Sequence, residues 1–444
     1  MFYLRNFKNF AEAELSFDEP VTLLVGPNGS GKSNLIEAVE LLCFLASGRP
    51  LHEITDLGRE GGLEVRGGLD ACPSWDHDEF RLGYRGAVVT PQGERQVSYE
   101  ITVHAGKEPR ITAESLHTHG RDTPVFEVQM REPDSPSADN WVRYDNFARG
   151  VNKPSAPAAA DRSALSQYAR FARNNQKLVE TLELIDAVSH ALRPTAVFDP
   201  IPKLMRGYER ESETRLARNG FNISPVLADL FQKRISAFRP TGKKKVIFKQ
   251  ADRSAVADKI LSRIAQLPDE PFKSFDFIRT KAKDVMFGFR TPGRDKPLPA
   301  RILSDGTLRA LAVLAALETS PRGQRIIVEE FDNGVHPSRV QVLTGALFEC
   351  SARNGLRSLV TTHNPATLNA LTAEQLGAVL LVAQTDETRE ARLIPLPELP
   401  GYIDFLEKGR LGDLITRRIY EQHLRGDYEE ERQGEMDAWL QNLP

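Results

Sequence analysis

The spacing of hydrophobic positions changes several times along the first 120 residues, and each spacing predicts a different element. Phe2 and Leu4 alternate with residues of the opposite face, and the apolar run Val21–Val25 follows, which predicts strands. From residue 33 to 45 apolar residues recur at helical spacing, which predicts a helix. Between residues 80 and about 116, short alternating runs with turn residues between them predict a small antiparallel sheet.

Amino-acid composition and hydrophobic spacing both change in the middle of the chain. Residues 131–161 are rich in Pro, Ser, Ala and Asp, and the segment PSAPAAAD at 154–161 is the part most typical of a linker. Helical spacing begins at Leu178 and returns around 227–238 and 255–267. We therefore predict that a mainly helical segment follows the strand-rich one.

The last third of the chain alternates predicted helices and strands. A helix at 308–317 is followed by a strand at 325–329, a helix from about 338 to 353 and a strand at 358–362. This alternation predicts a parallel sheet with crossover helices. The tail from Leu411 carries a helical apolar stripe, which would pack either on a partner or on the protein's own head.

Composition narrows the class of protein. The 444 residues exceed the roughly 250–300 at which a single core stops growing, so we expect more than one structural unit. Lys and Arg number 58 against 61 for Asp and Glu, a net charge of -3 that gives no global sign of nucleic-acid binding. Any basic surface is local, because basic residues outnumber acidic ones roughly two to one between 203 and 296, where KKK occupies 243–245.

Cysteine use and hydropathy indicate the compartment. Cys43, Cys72 and Cys350 are scattered, which argues against a disulfide framework or a cysteine metal site. No apolar run approaches the roughly 20 residues of a membrane span, and the amino terminus lacks the pattern of a secretion signal. We therefore expect a cytoplasmic protein.

The octapeptide GPNGSGKS at 26–33 is the strongest chemical signal. It lies between a predicted strand and a predicted helix, the context in which glycine-rich backbone amides and a helix N-terminus bind phosphate. Lys32 would reach the β- and γ-phosphates of a nucleotide, and the Ser33 hydroxyl would coordinate magnesium. The predicted phosphate-binding residues are Gly26, Pro27, Asn28, Gly29, Ser30, Gly31, Lys32 and Ser33.

Three further stretches supply what such a loop needs. The run RIIVEE ends on Glu329, which would close the strand and hold magnesium, and on Glu330, which would lie in the loop and orient the attacking water. The SDGT at 304–307 precedes a helix and would either present a hydroxyl and amides to an anion or simply cap that helix. His363 follows the strand at 358–362, at the carboxyl end where ligands of such sheets bind.

In this order the motifs resemble those of the ABC-type ATPase heads of the RecF, SMC and OLD group, in the form of a compact bacterial AAA-family ATP-binding protein of the antiphage-defence type. GPNGSGKS is similar to the Walker A loop, LSDGT to the signature, IIVEEFDNGVHP to the Walker B strand with its D-loop, and TTHNP to the switch-histidine loop. Three positions depart from the family pattern. Asp305 replaces a second glycine, Glu329 replaces a common aspartate, and Phe331 replaces a proline.

The resemblance implies an α/β fold, in which an ABC-type head with a parallel sheet, helices and an antiparallel β lobe is interrupted by an inserted, mainly helical subdomain. The implied head comprises 1–120 and 298–399, the insertion comprises 121–297, and a helical tail comprises 400–444.

The resemblance also implies ATP and Mg²⁺ as cofactors and a site shared between two copies of the chain. Ser304 and the amide of Gly306 would contact the γ-phosphate held by the phosphate loop of the second copy, and Lys8 would approach the nucleotide. ATP would thus hold a homodimer or a higher oligomer closed. The implied catalytic residues are Lys32, Glu330 and His363.

Three functions fit this set of motifs. The chain lacks long heptads, a C-x-x-C hook and room for a nuclease domain after His363, which favours an ATPase that regulates a separate effector, a nuclease or toxin, in antiphage defence. The alternative is a RecF-like DNA-repair ATPase, in which the basic region 203–296 would contact DNA phosphates. The third is a non-hydrolysing scaffold that ATP assembles.

Overall fold

The computed structural model describes residues 1–16, 19–56, 62–129, 139–145, 153–171, 177–193, 195–231, 251–267, 272–384 and 389–424. The chain divides into two compact units. The first unit comprises Met1–Asp18, Asn28–Thr195 and Leu381–Ile394, and the second comprises Glu19–Pro27, Ala196–Leu380 and Pro395–Pro444. The four segments implied by the family resemblance stay a prediction.

The strands are β1 Phe2–Phe7, β2 Phe10–Leu15, β3 Val21–Val25, β4 Ile54–Thr55, β5 Leu63–Glu64, β6 Glu79–Thr90, β7 Gly93–His104, β8 Arg110–Thr118, β9 Phe126–Gln129, β10 Asp139–Tyr144, β11 Ser155–Ala159, β12 Ala196–Phe198, β13 Glu209–Arg210, β14 Ser274–Arg279, β15 Asp284–Arg290, β16 Leu298–Pro299, β17 Arg325–Val328, β18 Arg357–Thr362, β19 Val379–Gln384 and β20 Ala391–Pro395. The helices are α1 Lys32–Ala46, α2 Ala164–Phe171, α3 Lys177–Ala191, α4 Ile223–Phe231, α5 Ala251–Ile264, α6 Asp305–Thr319, α7 Pro337–Asn354, α8 Pro365–Asn369, α9 Tyr402–Glu407, α10 Leu411–Thr416 and α11 Ile419–His423.

The first unit contains an eight-stranded sheet in the order β11-β10-β9-β8-β7-β6-β1-β2. Its longest pair is the antiparallel hairpin of β6 and β7, which turns between Thr90 and Gly93. Along β7 the alternating positions 97, 99, 101 and 103 are all buried. The predicted antiparallel sheet between 80 and 116 is therefore confirmed, and alternation placed its buried face correctly.

The prediction of a linker at 154–161 is wrong, because residues 155–159 form β11. This strand lies at the edge of the sheet, where Pro157 pairs opposite Trp141 of β10. An edge strand tolerates proline, since its missing N–H removes no ladder bond on the open side. Gln167 also donates from Nε2 to Ala159 O at 3.1 Å and accepts from Ala159 N at 3.0 Å.

The second unit is built on four parallel neighbours, in the order β12-β17-β18-β3. Helix α6 is buried on every side from Gly306 to Glu318, which explains its near-continuous apolar sequence. Helix α7 begins after the N-cap His336 and ends at Gly355, whose φ of 62° is a left-handed helix stop. The predicted helices at 308–317 and 338–353 and the predicted parallel sheet are confirmed.

A second, antiparallel sheet joins β13, β15 and β14, with β16 on β15. Its core is phenylalanine-rich, and the Phe272 and Phe289 rings stack at 3.9 Å between centroids. This sheet was not predicted from the sequence. Helix α4 covers part of the predicted helix at 227–238, whose remainder lies outside the described residues together with the lysines at 243–245.

The described part of the tail packs on its own unit. Gly412 N donates to Asn369 Oδ1 at 2.8 Å, so α10 lies directly against α8. Of the two alternatives for the apolar stripe, packing on the protein's own head is therefore confirmed for α10. Within the described residues, no helix combines the length and the apolar character needed to cross a membrane.

Candidate nucleotide site

The parallel strands of the second unit bring several motif residues to one edge. Strands β12, β17, β18 and β3 are parallel neighbours, so their carboxyl ends meet there. These ends are followed directly by Asp199, Glu329, His363 and Gly26. The edge thus carries the start of the phosphate loop, the acidic pair and the switch histidine.

The two adjacent glutamates differ in backbone conformation. Strand β17 ends at Val328, one residue earlier than predicted, but Glu329 N still donates to Phe198 O at 2.9 Å and so continues the ladder. Glu330 has a φ of 44°, a left-handed conformation that costs a non-glycine residue about 1–3 kcal/mol. The chain therefore leaves the sheet between the two carboxylates.

Neighbouring side chains hold Glu330 in that conformation. Its N–H donates to Thr361 Oγ1 at 2.8 Å, and Asn333 Nδ2 donates to Glu330 Oε2 at 2.6 Å. The buried Arg309 donates from Nη1 to Glu330 O at 3.1 Å. Three polar contacts fix this residue, two at its backbone and one at its carboxylate, which is the support that a strained backbone position requires.

Two arginines and a third carboxylate complete the acidic edge. Arg218 Nη2 donates to Glu329 Oε1 at 3.1 Å, and Arg309 Nη1 lies 3.8 Å from Asp199 Oδ1. Burial raises the pKa of Asp199 above its usual value, whereas Arg309 and Arg218 act to lower it. None of these three residues was predicted from the sequence. The available signal was the position of Asp199 after a short apolar run that pairs with β17.

The D-loop is bonded to the loop that carries the switch histidine. Asp332 is buried, and its Oδ2 accepts from Thr362 Oγ1 at 2.7 Å and from Thr367 Oγ1. Burial raises the pKa of Asp332, while the two hydroxyls and the nearby His363 act in the opposite direction. His363 itself is exposed at the end of β18.

The signature residues lie at the N-terminus of α6. Ser304 is the N-cap, and its Oγ accepts from Thr307 N at 3.2 Å. Arg339 donates from Nη1 to Thr307 Oγ1 at 3.1 Å. A Cβ on Gly306 would lie 2.5 Å from Gly334 O, so this position requires glycine. The signature is therefore packed directly against the D-loop.

Arg206 compensates for the aspartate at the second signature position. Its Nη2 pairs with Asp305 Oδ1 and also donates to Leu303 O at 2.9 Å. The departure from the family glycine thus introduces a charge that already has a cationic partner.

The phosphate loop enters from β3 and leaves into α1. Gly31 has a φ of 117°, and a Cβ there would lie 2.8 Å from Asn9 Nδ2 and 3.1 Å from Phe10 Cε2. Asn9 Nδ2 donates to Ser30 O at 3.1 Å. The loop therefore has the tight glycine conformation that its sequence motif predicts.

The residues present fit a bound phosphate. Helix α1 begins at Lys32 without a side-chain cap and without an acidic residue in its first turn. Such an N-terminus has amides directed outward and favours an anion. The buried Ser30 Oγ also has no hydrogen-bond partner among the described residues.

Lys8 lies in the turn between β1 and β2 with a φ of 51°. Its Nζ pairs with Glu37 of α1, and Arg66 Nε donates to Glu37 Oε1 at 2.6 Å. Arg66 Nη2 also donates to Asn34 Oδ1 at 2.9 Å. Two cations therefore share one carboxylate beside the first turns of α1. The predicted approach of Lys8 to a nucleotide stays a prediction.

A family model described as "AAA domain, putative AbiEii toxin, Type IV TA system" matches residues 21–369, which is more than half of the chain. The chain belongs to this family. Curated relatives of this AAA-domain protein are described as DNA replication and repair protein RecF. The relative from Cytophaga hutchinsonii is 28% identical over 163 residues, 34% of this chain and 41% of its own length.

Two further RecF relatives match shorter stretches. The protein of Rhizobium etli is 43% identical over 123 residues, 27% of this chain and 29% of its own length. The protein of a Synechococcus strain is 55% identical over 47 residues, 11% of this chain and 12% of its own length. The chain thus spans less than half of the length of each of these relatives. With the family match, they confirm an ABC-type ATPase head of the RecF/SMC group.

Solved structures of SMC heads are also similar to this AAA-domain protein. The SMC head domain from Thermotoga maritima has 16% identity and a TM-score of 0.36, covering 89% of this chain and 97% of its own. An Smc head with an extended coiled coil, bound to the C-terminal domain of ScpA and derived from Pyrococcus furiosus, has 13% identity and a TM-score of 0.41, covering 92% and 98%.

Proposed function

We propose that this AAA-domain protein binds Mg·ATP at its phosphate loop and hydrolyses it. The proposal is carried by the different backbone conformations of Glu329 and Glu330, the first continuing the ladder of β17 and the second fixed at a φ of 44°. Two adjacent carboxylates with separate orientations suit two roles. Glu329 would hold the metal and Glu330 would orient the attacking water.

The remaining roles follow from residue chemistry. Lys32 and the amides from Gly26 to Ser33 would bind the β- and γ-phosphates. Ser33 and Glu329 would hold Mg²⁺, which neutralises phosphate charge when bound. His363 would contact the γ-phosphate from the end of β18.

We further propose that two copies of the chain share each ATP. Ser304, which is exposed at the start of α6, and the amide of Gly306, which is buried two residues later, would contact the γ-phosphate held by the phosphate loop of the other copy. ATP then contacts both copies only in the closed state, and this difference in contacts favours closure. Hydrolysis would remove this preference for the closed state.

Glu330→Gln tests hydrolysis. The variant should lose about 100-fold or more of its phosphate release, retain ATP binding and accumulate as an ATP-bound dimer. Lys32→Ala should lose ATP binding itself. If Glu330→Gln turns over ATP at the wild-type rate, hydrolysis at this site is refuted. If wild type binds ATP and dimerises but never releases phosphate, the non-hydrolysing scaffold is correct.

We propose that the ATPase cycle regulates a separate effector, a nuclease or toxin, in antiphage defence. The proposal is supported by the family description, which names a toxin of a type IV toxin–antitoxin system. Affinity purification from native cells, with the Glu330→Gln variant as bait and Lys32→Ala as control, should recover one effector only with the ATP-trapped form. Recovery with neither bait would contradict this role.

A DNA-binding repair function is the second candidate. It is supported by the RecF relatives and by exposed cations in the second unit at Lys203, Arg210, Arg215 and Arg301. DNA affinity should fall steeply with salt, and Arg210→Ala with Arg215→Ala should reduce the salt slope by about two. Unchanged affinity in this double variant would exclude these arginines from DNA binding.

A further inference from the structure

Trp75 differs from the other described large aromatic residues because its side chain is 96% exposed. Singly exposed hydrophobic residues are common on protein surfaces, so the surroundings of Trp75 decide whether it has a role. The backbone around it is held in place, since Ser74 N donates to Asn6 O at 2.9 Å and His77 N donates to Ser74 O at 2.9 Å. The loop is therefore ordered, while the indole faces solvent.

The loop of Trp75 is connected to the phosphate loop through the turn between β1 and β2. Lys8 N donates to Cys72 O at 2.7 Å, and Phe7 forms an antiparallel bridge with Pro73. The next turn residue, Asn9, donates from Nδ2 to Ser30 O at 3.1 Å. One short turn thus holds both loops, and all of these residues belong to the first unit.

The charges around this turn suit a nucleotide that extends from the phosphate loop. Lys8 and Arg66 share Glu37 of α1, so cations lie at the end of the turn nearest this helix, whereas Asp76 and Asp78 follow Trp75 on its own loop. The Arg66 side chain is 61% exposed and therefore accessible to a ligand. Cations would accompany the phosphates, and an aromatic surface suits the base, which has no charge to pair.

We propose that Trp75 stacks on the base of the nucleotide whose phosphates are bound at Gly26–Ser33, so that it contributes to affinity for nucleoside triphosphates. This inference rests on the proposed function of the phosphate loop. It assigns the indole to a purine or pyrimidine ring rather than to a protein partner.

Equilibrium binding of ATP and of inorganic tripolyphosphate to the full-length protein, both with Mg²⁺, tests the proposal. Trp75→Ala should weaken ATP binding roughly 5- to 150-fold, because base–aromatic stacking contributes about 1–3 kcal/mol. It should leave tripolyphosphate affinity within about twofold. Trp75→Phe should restore most of the ATP affinity, and Trp141→Phe, a partly exposed tryptophan on β10, is the matched control.

Tryptophan emission gives a second readout. ATP should quench or shift the emission of wild type and of Trp141→Phe but not that of Trp75→Phe, and tripolyphosphate should change none of them. The inference is overturned if Trp75→Ala binds ATP as tightly as wild type, or if it weakens ATP and tripolyphosphate equally. If neither ligand binds wild type, the proposed function fails first and takes this inference with it.

Discussion

At the residue scale, Asp332 joins two loops of the candidate site. The threonines that donate to it, Thr362 and Thr367, lie on either side of His363, while Asp332 itself follows the acidic pair. A buried acceptor that loses a donor keeps its desolvation cost without the compensating bond. The position of the switch histidine therefore depends on these hydroxyls.

Thr367→Val should lower the free energy of unfolding by about 1–3 kcal/mol, because it removes a donor from buried Asp332 while it preserves side-chain shape. The matched control is Thr344→Val. Thr344 is equally buried, but its Oγ1 has no partner among the described residues, so its replacement should be neutral or stabilising. Denaturant unfolding measures both variants. Equal losses would show that the Asp332 contact contributes nothing specific.

Glu114 gives the first unit a pH-dependent stability. It is fully buried, and it accepts from Ala164 N at 2.6 Å, Leu165 N at 2.9 Å and Tyr99 Oη at 3.0 Å. Burial raises its pKa from 4.5 to about 7, against the opposing effect of these donors. The folded protein therefore retains a proton that the unfolded chain loses between these two values.

The sign follows from proton linkage. Where the folded state binds more protons than the unfolded state, the free energy of unfolding falls as pH rises. The contribution of Glu114 should therefore lower the free energy of unfolding by roughly 3 kcal/mol between about pH 4.5 and 7, and should stay constant at higher pH. In Glu114→Gln this slope should be missing, whereas Glu94→Gln, an exposed position on β7, should retain it. Parallel pH profiles for wild type and Glu114→Gln would contradict the assignment.

The motif residues of the candidate site were identifiable from the sequence, whereas the residues that support them were not. The phosphate loop, the acidic pair, the signature and the histidine each have local signals, since a motif requires certain residue types at fixed spacing. Arg218 and Arg309 have none, because they meet the acidic pair only through the packing of the chain, and Asp199 has only its position after a short apolar run. The left-handed backbone of Glu330 was not predicted as such. The sequence indicated only that two adjacent carboxylates cannot lie on the same face of a strand.

At the element scale, the errors have a common cause. Strand β11 was assigned to a linker because Pro and Ala are poor strand formers, yet an edge position accepts both. The sheet of β13 to β16 was missed because β13 and β16 have only two residues each and β14 and β15 lie in a stretch that was interpreted only as basic. By contrast, α6, α7 and the hairpin of β6 and β7 have long periodic patterns, and these were predicted correctly.

Two helical glycines, one at the contact between α10 and α8 and one outside it, should respond to alanine with opposite changes in stability. A Cβ on Gly412 would lie 2.2 Å from Pro365 O, so Gly412→Ala should separate the two helices and cost about 1–3 kcal/mol. Gly345 in α7 has nothing within 4 Å of its Cβ position, so Gly345→Ala should gain about 0.5–1 kcal/mol from helix propensity. Thermal unfolding distinguishes them. A stabilising Gly412→Ala would show that α10 does not pack tightly on α8.

At the scale of the whole molecule, the central question is whether one chain or two complete the nucleotide site. The structure describes a single chain, in which Ser304 belongs to the second unit and Lys32 to the first. The shared site can be tested by mixing two inactive variants in vitro, since a shared site combines residues of two copies whereas a site within one chain does not.

Lys32→Ala and Ser304→Arg should each reduce phosphate release by about 100-fold, because each removes contacts to the reacting phosphate. In a mixed dimer, one of the two shared sites would contain Lys32 from the Ser304→Arg chain and Ser304 from the Lys32→Ala chain, and would be intact. Mixing the two inactive variants should therefore restore activity at least about tenfold over either alone. A chain carrying both substitutions, mixed with either single variant, should give no recovery, because every site then retains a defect. Equal inactivity of all mixtures, with dimers present, would place Ser304 and Lys32 at separate sites.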